Sequence, residues 1–228
     1  MFDLHGYLPL ILQGMLLTVE VAVLSLLLAI MLGLAGAVAK LSGLRFAKSV
    51  AGIYTTLIRG VPDLVLMFII FYGGQNLVNS IGDRLGWDYI DITPFVAGVI
   101  TIGFIFGAYL TETFRGGIMS VSRGEIEAGH AYGMTPIQVF CRITLPAMVR
   151  HALPGFSNNW LVLAKTTALV SVIGLHDMVD IARQAGGATR QPFTFYFLVA
   201  ILFLLITAVS DIGLRWLERR YSAGVRKA

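Results

Sequence analysis

Charge is scarce in this chain. Asp, Glu, Lys and Arg make up 13% of its 228 residues, about half the roughly 25% of a soluble domain. Cysteine is scarcer: Cys141 stands alone, which excludes an internal disulfide and a cysteine-rich metal site. No Lys or Arg precedes Leu12. The first apolar run therefore lacks the charged start of a cleaved signal, and it is too long for one, so we expect a retained helix. No Gly-Lys pair occurs anywhere, so no G-x-x-x-x-G-K-[ST] loop cradles nucleotide phosphates. No internal repeat is visible, against the two inverted halves of many secondary transporters. His130 and His151 have no metal-ligand spacing. No nucleophile–base constellation marks an enzyme, and no catalytic residue is assigned. The basic residues scatter to the ends of apolar runs, unlike a nucleic-acid footprint.

What is present is apolar. Hydrophobic residues reach 57% and the mean hydropathy is +0.79. A span needs about 20 apolar residues to cross about 30 Å of hydrocarbon. Five candidates emerge: Leu12 to Ala39, Val61 to Val78, Phe95 to Phe114, Leu153 to Gly174 and Phe193 to Leu217. The predicted fold is all-α, a polytopic membrane protein of one domain over residues 1–228. The connections alternate in basic residues. The first holds Lys40, Arg45, Lys48 and Arg59, the third Arg115, Arg123, Arg142 and Arg150, and the tail Arg215, Arg219, Arg220, Arg226 and Lys227. The second holds Arg84 beside Asp83, Asp88 and Asp91, and the fourth Arg183 and Arg190. The positive-inside rule then puts the N-terminus outside and the C-terminus in the cytoplasm. Gly103 and Gly107 form a G-x-x-x-G suited to helix packing, although chance explains such a motif among 25 glycines.

The third connection, about residues 115–152, carries local signals of its own. Ser122 and Glu125 have capping-box spacing. The helix they start is predicted to run to about Tyr132 and stop at Gly133, a residue suited to a left-handed cap. Thr135 and Pro136 restart a helix as N-cap and first residue, and Ile143-Thr144-Leu145-Pro146 is expected to close it. Two short helices would face the cytoplasm, either as a connector on the membrane surface or as a docking surface.

Glu127-Ala128-Gly129, Gly133 and Ile143-Thr144-Leu145-Pro146 resemble the cytoplasmic E-A-A loop of ABC importer permeases. Gly129 departs from the family's second alanine, a change of about 1 kcal/mol at most in helix propensity. Arg59-Gly60-Val61-Pro62, Gly107 to Glu112 and Lys165 to Leu169 resemble the polar amino acid subfamily. Tyr54 to Met67 and Leu217 to Ser222 are closer to permease subunits of histidine and lysine–arginine–ornithine uptake systems. The resemblance implies a complex with a homologous second permease, two ATPase subunits and a periplasmic substrate-binding protein in a bacterial inner membrane. ATP and Mg would be held by the ATPases, with no cofactor in this chain. It also implies a coupling role for Glu125, Glu127, Ala128, Gly129, Gly133, Ile143, Leu145 and Pro146. Basic amino acids are the expected substrates. A neutral polar amino acid such as glutamine, or a stand-alone secondary transporter, is the alternative.

Ionisable residues inside spans cost roughly 2.5–3.5 kcal/mol on insertion scales and mark candidate sites. Glu20, Asp63, Glu112 and Lys165 qualify. Glu112 and Lys165 either pair with each other, or Lys165 meets the α-carboxylate shared by all amino acids. Glu20 and Asp63 are candidate counter-charges for a cationic side chain. Asp63 also suits the first turn of a helix, and Glu20 an internal pair or a position snorkelling toward the outer face. Asn158 and Lys165 share a helical face, as do Asn159 and Thr166. Arg59 and Pro62 mark either a hinge near the inner gate or a plain helix start.

Overall fold

The first apolar run folds as a single helix, α1 (Leu8–Leu41). Ser25, Ala29, Gly33 and Ala37 are buried along it, a stripe of small residues every fourth position and hence on one face. That stripe packs along α4 (Pro94–Met119). The approach is close. A Cβ added at Gly103 would stand 2.6 Å from Leu28 Cδ2, one at Gly107 2.8 Å from Leu32 Cβ, and one at Gly33 2.7 Å from Leu110 Cβ. The G-x-x-x-G is therefore a packing device and not a product of chance. Lipid tails are as apolar as leucine, so helices in a membrane are held by such contact and not by hydrophobic exclusion.

The structure is a computed structural model describing Leu4 and residues 6–222. Arg226 and Lys227, counted above as inner-side charges, lie outside the described residues. Between α1 and α4 run α2 (Arg45–Gly60) and α3 (Asp63–Leu85), the latter with a π turn at Ile69–Gly73. The chain breaks between them at Val61 and Pro62, both extended. The second span thus begins at Asp63 and not Val61, because proline cannot donate the backbone bond that would continue α2. After α4 come α5 (Arg123–Ala131) and α6 (Pro136–Ile173). α7 (Met178–Thr189) and α8 (Pro192–Ser222) complete the chain.

α6 corrects two expectations. No helix closes at Pro146, and no separate span starts at Leu153. One continuous helix passes from the α turn Pro136–Val139 through a π turn, Phe140–Thr144, into the α segment Leu145–Thr166, and ends as 3₁₀ turns over Thr167–Ile173. Pro146 sits in the first turn of the α segment, where its missing N–H is tolerated. The preceding N–H, of Leu145, reaches back five residues to the carbonyl of Phe140. Pro154 also lies within the helix without ending it.

Among the described residues, α1, α3, α4 and α8 are each long and apolar enough to cross a membrane. α6 with α7 makes a fifth span if the pair, bent by 54°, is counted as one. α7 was not anticipated within the fourth connection. Asp177 caps it, its Oδ1 accepting from the backbone N–H of Val179 (3.1 Å) and Asp180 (2.9 Å). The start of α7 lies against α1, where a Cβ on Gly14 would fall 2.6 Å from the nitrogen of Met178. The helices also run past the apolar windows at both ends, since backbone hydrogen bonding continues after hydropathy fades.

Candidate functional site

The connection between α4 and α6 supplies the most built-up polar surface. α5 ends at Ala131, and Gly133 takes φ +78°, the left-handed conformation that favours glycine. Thr135 then caps α6: its Oγ1 accepts from Gln138 N–H (3.3 Å), and Gln138 Oε1 accepts from Thr135 N–H (2.9 Å). This is a full capping box. The one expected at Ser122 does not form, for Ser122 is N-cap by backbone alone. Its spacing with Glu125 satisfied the pattern, but neither side chain turns back to the helix start.

α5 packs on the first turns of α6 through Gly129. A Cβ there would stand 2.6 Å from Ile143 Cδ1 and 3.1 Å from Val139 Cγ2. Gly129, Val139 and Thr144 are buried beneath the loop, while Glu125, Glu127, Ala128, Tyr132 and Ile137 point outward. Leu145 and Ile143 are half-buried at the hinge between loop and span, and Pro146 is exposed there. A groove of about 610 Å³ runs from Glu125 and Tyr132 past Arg142 and Arg150 to Arg220. It presents more cations than anions to whatever lies below the loop.

The intramembrane candidates divide into paired and unpaired groups. Glu112 is paired, but not with Lys165. It bonds Lys40 of α1 and accepts from Arg115 Nε (2.9 Å). Lys40 also donates to Thr55 Oγ1 (2.5 Å), so the network ties α1, α2 and α4. Lys165 lies on another face of the bundle, exposed, and it has no ion pair among the described residues. Asn158 and Val162 share that exposed face with it. The second polar face turns inward: Asn159 Nδ2 donates to Thr113 Oγ1 (3.0 Å), and Thr166 donates to its own helix at Val162 O (3.1 Å). Glu20 is exposed on α1 and Asp63 is half-buried at the first position of α3. Neither has a side-chain partner among the described residues. Arg59 lies 5.5 Å above the ring of Tyr109, in a cation–π contact that holds the end of α2 on α4. Pro62 is the exposed N-cap of α3.

Several polar contacts had no clear sequence signal. Ser157 donates to Glu218 Oε1 (2.8 Å), joining α6 to α8. Gln75 and Asn79 of α3 pin the following loop, donating to Ile90 O (2.5 and 2.9 Å) and accepting from Ile92 N–H (2.7 Å) and Ile90 N–H (2.8 Å). Asp180 of α7 bonds His176 (2.7 Å), Arg183 (2.5 Å) and Gln184 (2.6 Å). Pairs 72 or 61 residues apart in sequence leave no local periodicity to read. Among the described residues, no three His, Cys, Asp or Glu side chains are arranged to hold a metal ion.

An exposed two-helix loop on a bundle of spans is an architecture shared with known proteins. Residues 26–223 match the family described as "Binding-protein-dependent transport system inner membrane component". The chain is 54% identical over 225 residues to the histidine/lysine/arginine/ornithine transport system permease protein HisQ of Salmonella typhimurium, covering 99% of both chains. It is 52% identical to HisQ of Escherichia coli over the same shares. The octopine transport system permease protein OccQ of Rhizobium meliloti is 40% identical, over 92% of this chain and 90% of its own. A solved structure, the crystal structure of an amino acid ABC transporter with histidines, superposes with a TM-score of 0.79 at 30% identity, covering 94% of this chain and 95% of that one. The chain belongs to the family of binding-protein-dependent transport system inner membrane components.

Proposed function

We propose that this chain is a permease subunit of an ABC importer for basic amino acids, folded as one transmembrane domain. The observation that carries the substrate class is the 54% identity, end to end, with a permease of a histidine, lysine, arginine and ornithine system. The chemistry of the spans supports it. Glu20 and Asp63 are carboxylates in or bordering membrane-spanning helices with no cation paired to them among the described residues. A carboxylate left in low dielectric without a counter-charge is costly. A cationic side chain in transit supplies one. Lys165, exposed and without an ion pair among the described residues, would meet a substrate carboxylate or a second permease. Glu112 takes a structural role instead, since Lys40 and Arg115 already satisfy it.

Transport in this reading is alternating access. Two ATPase subunits bind ATP and Mg and grip the loop formed by α5 and the start of α6. Glu125, Glu127 and Ala128 offer the exposed surface, Gly133 sets the angle between the helices, and Gly129 and Ile143 hold them together. Leu145 and Pro146 pass the motion on, because α6 is one helix from the loop to the middle of the bundle. A periplasmic binding protein delivers the amino acid, and a homologous second permease completes the path. The N-terminus lies outside and the C-terminus in the cytoplasm.

The test is to purify the complex formed by this chain and measure uptake in proteoliposomes of labelled arginine, lysine, ornithine, histidine and glutamine, with one binding protein throughout. Recovery of an ATPase with ATP-dependent uptake of the basic amino acids is the expected result. Preferential glutamine uptake would reassign the substrate. Uptake without any ATPase would overturn the importer assignment.

A further inference from the structure

We propose that the corner between α6 and α7 is a proton-operated latch, which binds α7 to α1 tightly in acid and loosely at neutral pH. The corner is built on Asp177, which is 1% exposed. Its Oδ1 caps α7, but its Oδ2 is buried and no group among the described residues donates to it. Asp180, 2% exposed, follows within the same turn. His176, Arg183 and Gln184 bond the carboxylate of Asp180 and not that of Asp177. The packing around the pair is tight. A Cβ on Gly14 of α1 would stand 2.8 Å from the carbonyl carbon of Asp177, and Met178 shares a buried cluster with Ile11 of α1 and Phe195 of α8. On the elements packed here, the titratable residues nearest in sequence to the contact are Tyr7 and Glu20 of α1, Lys165 of α6 and Tyr196 of α8. None of them bonds Asp177 among the described residues, and Tyr196 acts on Arg183 instead. His5 lies outside the described residues.

The latch rests on the orientation proposed above, in which this corner is on the outer side. Gly14 and Lys40 are 26 residues apart on α1, about 39 Å at 1.5 Å per residue, against about 30 Å of hydrocarbon. With Lys40 at the inner connection, Asp177 stands at the outer surface, past the end of α6. Burial raises its carboxyl to about 6; the backbone bonds from Asp180 and Val179 oppose the rise, and the charge of Asp180 adds to it. At Asp180 burial is outweighed, and the bonds from Arg183, His176 and Gln184 hold its carboxyl below the usual value. Asp180 therefore stays ionised while Asp177 titrates. Released from α1 and exposed to water, Asp177 returns to an ordinary value of about 3.9. A proton then binds the docked corner more tightly than the released one, so docking is strongest below about pH 4, weakens as pH rises through about 6, and is constant above that. Between pH 7 and pH 5 the ratio of docked to released corner should rise about ten-fold. α6 is one helix from the cytoplasmic loop to this corner, so the latch fixes the outer end of the element that carries the loop.

The test is hydrogen exchange of the intact complex in lipid nanodiscs at pH 5 and pH 7, read over residues 176–186 and corrected for intrinsic exchange rates. Protection there should be about ten-fold higher at pH 5. Asp177→Asn keeps an N-cap and resembles the protonated acid, so it should show the higher protection at both pH values. Asp177→Ser, a second uncharged cap, should lose the pH dependence as well, so that a folding defect in one variant does not decide the outcome. His176→Gln should keep the ten-fold change. Equal protection of the unaltered chain at the two pH values would overturn the proposal. So would a pH dependence that survives both Asp177→Asn and Asp177→Ser, or one abolished by His176→Gln, which assigns the proton to the histidine. Exchange is read without transport, so none of these results bears on which amino acid is carried.

Discussion

Asp63 occupies the first position of α3, half-buried and without a side-chain partner among the described residues. A carboxylate there is stabilised by the helix dipole, by about 0.3–1 kcal/mol, so its presence alone does not argue for substrate. Its charge does. Asp63→Asn keeps the shape and removes the charge. If Asp63 faces the cationic side chain, arginine uptake should fall further than histidine uptake, since histidine has a reference pKa near 6.5 and is mostly neutral at pH 7. The difference should reach about 1–3 kcal/mol, the range of a hydrogen bond to a charged group. Initial rates in vesicles, normalised to assembled complex, measure it; an unchanged ratio leaves Asp63 a helix-dipole residue only. At this scale the sequence shows which residues are out of place in a membrane but not what they touch. Glu112 was legible as an anomaly, and its partners Lys40 and Arg115 emerged only when α1, α2 and α4 packed.

At the scale of elements, the loop is the most legible part and α6 the least. Gly133 was marked as a left-handed turn, and φ +78° bears this out. An added Cβ there meets nothing within 4 Å, so substitution strains the backbone without a clash. Gly133→Val should cost about 1–3 kcal/mol of local strain and lower uptake and ATPase recovery while insertion is normal. Gly133→Asn should be milder, since asparagine adopts this conformation more readily; equal behaviour of the two would remove the turn from the coupling role. The continuity of α6 yields a second prediction. A π turn is equivalent to one extra residue in an α-helix, so deleting Cys141 from Phe140–Thr144 should close it to α with both flanks in register. Deleting Val149 from the α segment should rotate the loop about 100° relative to the span. Transport in complementation assays should survive the first and be lost with the second. The proline at 146 read as a stop because local rules carry no knowledge of a π turn before it.

At the scale of the whole molecule, charge along the chain predicts the direction of insertion. A reporter fused after Ala228 should be active in the cytoplasm and a tag before Phe2 accessible from outside, as the alternation of basic connections requires. Both tags on one side would refute an odd number of spans. The sequence alone determined that the chain is an all-α membrane protein, roughly where it crosses, and where one short helix and a left-handed turn stand exposed, because hydropathy, caps and turns act over a few residues. The tertiary structure decided the rest. It converted Gly103 and Gly107 into a contact with Leu28 and Leu32, and it gave Glu112 to Lys40 and Arg115 and left Lys165 facing outward. It also joined the loop to its span as one helix. Those outcomes depend on which helix faces meet across distant stretches of chain, and no local pattern of residues encodes a choice of neighbour.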